Sequence, residues 1–237
     1  MPVKGKQSPE IGPVSVLAAT QPDINLLRNL ASLTAEMSHN LFAGKIYVKT
    51  ETVEQFSLAG PFVGAPYGVM FLETLIAWGA RRIIFWGWCG AISKSVQTGD
   101  VIIPTGAIID EGTSKHYREN REGISTPTPV MVQSIRTALG KSETDVHEGL
   151  VWTTDAVFRE TREKVLFYQS KDVLAVEMEL SALFTVAAFH QVDIGGILVV
   201  SDELSQLSWK PGFKSERFKM GRQVAAKAVH SICKERS

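Results

Sequence analysis

Between residues 82 and 105 the chain sets two short apolar runs on either side of a glycine-bracketed segment. Residues 83–86, Ile-Ile-Phe-Trp, carry no polar side chain, as a strand covered on both faces must. Gly87-Trp88-Cys89-Gly90 follows, and Thr98-Gly99-Asp100 leads into the second run, 101–103. The pattern predicts a buried strand that turns sharply at its glycines. Free backbone N–H groups would then lie at the carboxyl edge of a sheet, where α/β folds hold ligands.

The rest of the chain alternates strand-like and helix-like segments. Residues 14–19 read as a strand. Pro22-Asp23 opens a helix with Ile24, Leu27, Leu30 and Leu33 at helical spacing. Residues 46–50 and 56–59 are β-like. A Gly/Pro-rich loop over 60–68 feeds a helix over 69–78, stopped by Gly79. Further strands are expected at 107–109, 148–152 and 194–200, the last apolar and rich in β-branched residues. Helices are expected over 130–139, 159–169, 179–190 and 212–233, with a strand-like entry at 174–178. No linker or repeat interrupts the series. It predicts a single-domain three-layer α/β/α sandwich over 14–237, with a mixed, largely parallel sheet and an N-terminal arm over 1–13.

A chain of 237 residues buries one sizeable core. Lys plus Arg and Asp plus Glu are equal at 25 each, which argues against an electrostatic hold on nucleic acid or membrane. No apolar run reaches the roughly 20 residues of a membrane-spanning helix. The first residues lack the apolar core of a signal peptide. The two cysteines, Cys89 and Cys233, form no metal pattern, so a reducing, cytoplasmic compartment is expected.

Acidic residues recur at the ends of the apolar strands. Asp23 follows the first, Asp202 follows the strand ending at Val200, and Glu177 and Glu179 flank Met178. Asp23 and Asp202 would serve equally as helix N-caps, Glu179 as a partner of a helix dipole and Met178 as core filler. Their shared location at strand ends favours a ligand site.

Several segments, in order, resemble the nucleoside phosphorylase superfamily, which includes purine nucleoside and uridine phosphorylases and methylthioadenosine nucleosidases. CGAISKSVQTGDVII with DEGTSKHY is similar to one signature, AVEMELSALFTVAA to a second and VVSDEL to a third. WTTDAVFRE resembles the nucleobase segment, and VSVLAATQPD the first strand and loop. The resemblance implies cleavage of a ribonucleoside N-glycosidic bond in a homo-oligomer, a dimer or trimer of dimers, with no metal or organic cofactor and phosphate as a possible co-substrate. It places Glu179 on the ribose hydroxyls with Met178 against the sugar. Asp202 would be the acid for the departing base, assisted by Arg217. Val176, Val157 and Phe158 would form the base wall. Cys89, Gly90 and Trp88 would form the loop beneath. Thr161 and Glu163 stand where uridine phosphorylases carry a Gln and an Arg, so uracil is not indicated.

The phosphate site departs from the pattern. The family's G-D-P-x-R is Thr20-Gln21-Pro22-Asp23-Ile24 here, a strand arginine is Phe85 and a loop hydroxyl is Trp88. Near 40–45, where a neighbouring subunit's arginine is expected, the basic residue is Lys45. Each lost contact to an anion is worth roughly 1.5–3 kcal/mol, so phosphate should bind more weakly by about 4–8 kcal/mol. Arg28, Arg81 or Arg82 would have to compensate. The segment from Gln21 to Arg28 also aligns with the nucleosidases, which puts Asp23 on their water-activating carboxylate. Three readings follow: a nucleosidase, a phosphorylase with a rebuilt anion site, and a non-catalytic nucleoside-binding protein.

Overall fold

The computed structural model describes residues 2–6, 8–51, 54–118, 123–140 and 142–235. The expected arm thus includes Met1 and Gln7, which lie outside the described residues. The first half runs β1 (Val14–Ala18), α1 (Gln21–Leu30), β2 (Ser38–Leu41), β3 (Gly44–Thr50), β4 (Gln55–Gly60), α2 (Ala65–Trp78), β5 (Arg82–Ala91) and β6 (Val101–Asp110). A short β7 (Ile124–Ser125) and α3 (Pro129–Leu139) lead to β8 (Val146–Thr154), α4 (Arg162–Gln169), β9 (Ala175–Glu177) and α5 (Leu180–Phe189). The chain closes with β10 (Asp193–Glu203), β11 (Lys210–Pro211) and α6 (Glu216–Cys233).

The strands form one mixed sheet in the order β11-β10-β6-β8-β9-β5-β1-β4-β3-β2, with β7 paired to β6. The long central pairings, β5 with β10, β6 with β8 and β1 with both β4 and β5, are parallel. The path also closes on itself, because β5 pairs with β10 as well as with β9. β5, β10, β6, β8 and β9 therefore make a ring, and β1, β4, β3 and β2 extend the sheet outward from β5.

Period-two alternation on β5 builds both faces of the sheet. Ile83, Phe85 and Cys89 point into a core shared with α2 and α5, whereas Ile84, Trp86 and Trp88 point towards α1, α3 and α6. A smaller third cluster packs α4 on β8 through Trp152 and Tyr168, whose rings stack at 4.3 Å. The three-layer expectation is met, and the closing helix covers one face.

The largest departure lies at the segment expected to turn. Gly87-Trp88-Cys89-Gly90 is not a loop: β5 runs straight through it to Ala91, pairing Trp88 with Val199, Cys89 with Val200 and Gly90 with Asp202 across a bulge in β10. Its backbone is extended and paired with β10 throughout, rather than turned into an anion-binding loop. The glycines are there for close packing. A Cβ on Gly87 would lie 2.7 Å from the Phe85 ring, and one on Gly90 would lie 3.2 Å from an Asp202 carboxylate oxygen. Elsewhere, α2 begins at Ala65 inside the expected loop, with Pro66 in its first turn, where the missing N–H costs nothing. Residues 159–161 precede α4 rather than join it, and the polar β2 carried no apolar signal. Phe62, Tyr67 and Trp78, which fitted an interface or a core, pack on the core.

Candidate active site

The carboxyl ends of β1, β9 and β10, the distal part of β5, and the loops after β4, β8 and β10 surround one cavity of about 600 Å³. Most of the expected site residues meet there: Trp88, Cys89 and Gly90 from β5; Val176, Met178 and Glu179 around β9; Val157 and Phe158 from the β8–α4 loop; and Asp202 from β10. Phe158 is almost wholly exposed at the mouth and Val157 is partly so. Both therefore present an apolar wall to whatever enters.

Glu179 is buried where β9 gives way to α5. Its Oε1 accepts a 2.6 Å bond from the Gly64 N–H, which ties the loop after β4 to this carboxyl. Glu177 accepts from the N–H groups of Glu179 and Leu180 at 2.8 and 2.7 Å and from the Thr153 hydroxyl, so it caps the start of α5. Burial raises both carboxyls above their usual range, and the Glu179 charge raises Glu177 further. Like charges this close disfavour ionising both at once.

Asp202 receives the Ser201 hydroxyl on Oδ1 at 2.6 Å and the Trp209 indole N–H on Oδ2 at 2.9 Å. Burial raises its carboxyl, against the pull of both donors. Arg217, expected to assist it, makes no hydrogen bond to it in this structure. The guanidinium lies on Asp100 at 2.6 Å and Asp145 at 2.9 Å, a packing contact beneath α6, away from the cavity. Cys89 is fully buried, and desolvation with the nearby Asp202 charge holds its thiol protonated, which removes it as a nucleophile.

Asp23 is the main correction. It is fully buried and does not line the cavity. Its Oδ1 takes the Arg222 Nε at 2.6 Å, and its Oδ2 takes the Trp88 indole N–H at 2.6 Å and the Thr20 hydroxyl at 2.8 Å. A carboxylate with both oxygens engaged is not free to activate water. The Arg222 guanidinium also lies 5.4 Å from the Trp88 ring, which stands edge-on to Phe218 at 5.0 Å. Trp88 therefore closes the end of the cavity where a phosphate oxygen would be expected, and the cation behind it is already neutralised. Phe85 is not on the wall at all: its ring is buried beside Phe62.

The other candidate cations are elsewhere. Arg81 donates to the carbonyls of Ile76 and Ala80, and Arg82 reaches Glu235, both at the amino end of β5. The Arg28 guanidinium sits over the Tyr47 ring at 4.5 Å. Lys45 is exposed on the β2–β3 hairpin, and His116 is exposed in its turn. Among the described residues, no cluster of His, Cys, Asp and Glu side chains has the grouping to hold a metal ion. No helix among them is long and apolar enough to cross a membrane.

Sequence reasoning missed Glu160, Thr20 as a wall residue, and the aromatic pair Trp209 and Phe213. Glu160 ends the nucleobase segment, between Arg159 and Thr161, where a charged residue in a loop carries no periodic signal. Burial and the neighbouring Asp202 charge push its carboxyl up to about 7.

Residues 13–235 match the Phosphorylase superfamily. The chain belongs to that superfamily. It is 30% identical over 142 residues to a guanosine phosphorylase of Halorubrum lacusprofundi, covering 60% of this chain and 58% of that protein. It is 28% identical over 162 residues to a DeoD-type purine nucleoside phosphorylase of Clostridium novyi, covering 67% and 68%. The fold is that of uridine phosphorylase from Vibrio fischeri, with a TM-score of 0.83, 22% identity and coverage of 95% and 94% of the two chains. It also matches purine nucleoside phosphorylase from Toxoplasma gondii in complex with immucillin-H, with a TM-score of 0.79, 18% identity and coverage of 94% and 91%.

Proposed function

We propose that this superfamily member cleaves the N-glycosidic bond of a nucleoside, with water as the nucleophile. One observation carries the choice of water: Glu160, Glu177, Glu179 and Asp202 line the cavity, and among the described residues no Lys, Arg or His does. Even at an effective dielectric constant near 20, a phosphate charge about 6 Å from a carboxylate is repelled by about 2–3 kcal/mol. Water carries no such penalty. Glu179 would hold the ribose hydroxyls while Met178 packs on the sugar. Val176, Val157 and Phe158 would receive the base. The Thr20 hydroxyl, on the wall and hydrogen-bonded to Asp23, is the group best placed to orient the water. Relatives named for guanosine and purine nucleosides support a purine as the base.

Those same names favour a second reading, phosphorolysis. It would require Arg222 to leave Asp23 and pass Trp88 into the cavity. Incubating purine nucleosides with and without phosphate separates the two. Free base with free ribose, at a rate indifferent to phosphate, is expected. Ribose 1-phosphate formed only when phosphate is present would replace hydrolysis with the second reading. Binding without turnover would leave a nucleoside-binding protein. A homo-oligomer is supported by the exposed apolar side chains Phe42, Val63 and Met70, and sedimentation velocity tests it.

A further inference from the structure

Asp202 and Glu160 line the same cavity, and their surroundings differ in one decisive respect. Asp202 has a donor on each oxygen, the Ser201 hydroxyl and the Trp209 indole. Both bonds favour its anion. The Glu160 carboxyl has no protein donor among the described residues, and it is half-buried where the Asp202 charge is felt. The other ionisable groups on the cavity wall are Glu177 and Glu179, also acidic, and the Cys89 thiol, which burial keeps neutral. On the Glu160 segment itself, Arg159 and Arg162 flank it in sequence, and neither lines the cavity. Lys164 is committed to Asp110 at 2.7 Å. Nothing on the wall therefore compensates two negative charges in this cavity, which favours keeping one proton on the pair.

We propose that this proton resides on Glu160, and that Glu160, with Asp202 as its anionic partner, is the acid that protonates the departing base. The proposal rests on the glycosidic-cleavage reading and assigns its proton donor to a residue to which the family resemblance gave no role. As the C1′–N bond breaks, its electron pair passes to the base. The Glu160 proton moves to a ring nitrogen of the base, leaving Glu160 as a carboxylate. Water adds its oxygen to C1′, and its surplus proton is returned to Glu160 through solvent, so the cycle closes without another reactant. Asp202 stays ionised throughout, oriented by Ser201 and Trp209.

Two ribosides separate proton donation from everything else. A purine nucleoside needs an acid to leave, whereas 4-nitrophenyl β-D-ribofuranoside releases a stable anion. Glu160→Gln is expected to slow the nucleoside by about 10²–10⁴-fold while holding the nitrophenyl riboside within about tenfold. Wild-type kcat/KM for the nucleoside should fall as pH rises through about 7. That limb should vanish in Glu160→Gln and move to lower pH in Asp202→Asn, which removes the charge holding the proton on Glu160. Equal slowing of both ribosides by Glu160→Gln, or a limb that survives it and vanishes in Asp202→Asn, overturns the assignment. A wild type inert to both ribosides overturns the cleavage reading and the donor role together. Infrared difference spectra at pH 6 tell the two failures apart. Loss of a protonated-carboxyl band in Glu160→Gln places the proton as proposed even then. Loss in Asp202→Asn alone refutes the placement itself.

Discussion

At one end of the cavity, the residues around β9, β10 and the β8–α4 loop gather Glu177, Glu179, Asp202 and Glu160, each with its carboxyl raised above the usual range. At the other end, where β1 meets α1 and α6, Asp23 and Arg222 have cancelled each other behind the Trp88 indole. The first end sets four acids on the cavity wall with no basic side chain among them. The second pairs its carboxylate with a cation and turns an aromatic face outward. Uncompensated acids on a wall are costly to maintain, so they point to chemistry. An ion pair closed off behind an indole offers an anion little to bind, which fits the proposed use of water.

The contrast can be tested by disturbing each end. Arg222→Met should cost about 3–5 kcal/mol in urea unfolding, because Asp23 is left as an unpaired buried charge. Asp23→Asn combined with Arg222→Met should recover most of that loss and keep turnover. Loss of turnover in the folded double variant would return Asp23 to the chemistry. Glu179→Gln should lower kcat/KM by about 10²–10³-fold, or about 3–4 kcal/mol, through weakened bonds to the sugar hydroxyls, with little change in unfolding. Trp88→Thr should cost about 2 kcal/mol of stability through lost packing and one hydrogen bond. It should also make the rate sensitive to added phosphate, where the wild type is indifferent.

The smallest effect is one of pH. Folding raises the Glu160 carboxyl to about 7, so the native protein binds more protons than the unfolded chain between the usual carboxylate range and that value. Its contribution is full in acid and is lost as pH rises through about 7. After allowance for solvent screening, urea unfolding at pH 8 should be less favourable to the fold than at pH 5 by about 1–2 kcal/mol from this group, and Glu160→Gln should remove that part of the slope.

Much of this was legible in the residues. The helices of the two covering layers followed from spacing, and the β10 run and the acids at strand ends led to the cavity wall. The glycines of β5 misled because a glycine permits a turn and a close approach equally, and the sequence does not say which. Here the neighbours, the Phe85 ring and the Asp202 carboxylate, decide for close approach. Asp23 misled for a related reason. Its place at a strand end was right, but its partners, Trp88 and Arg222, come from distant segments, and no local pattern announces a pairing of that kind. Glu160 was invisible because its environment, not its position, gives it meaning.

The pairing of Asp23 with Arg222 joins residues 199 positions apart. A carboxylate delivered early in the chain therefore waits, without its cation, until the last helix has docked. Contacts of such range close late, because most of the loop entropy must be spent before they form. Neutralisation of this end of the cavity thus depends on the docking of α6. A chain lacking α6 would still hold the Trp88 indole on β5, but Asp23 behind it would carry a buried charge without its cation.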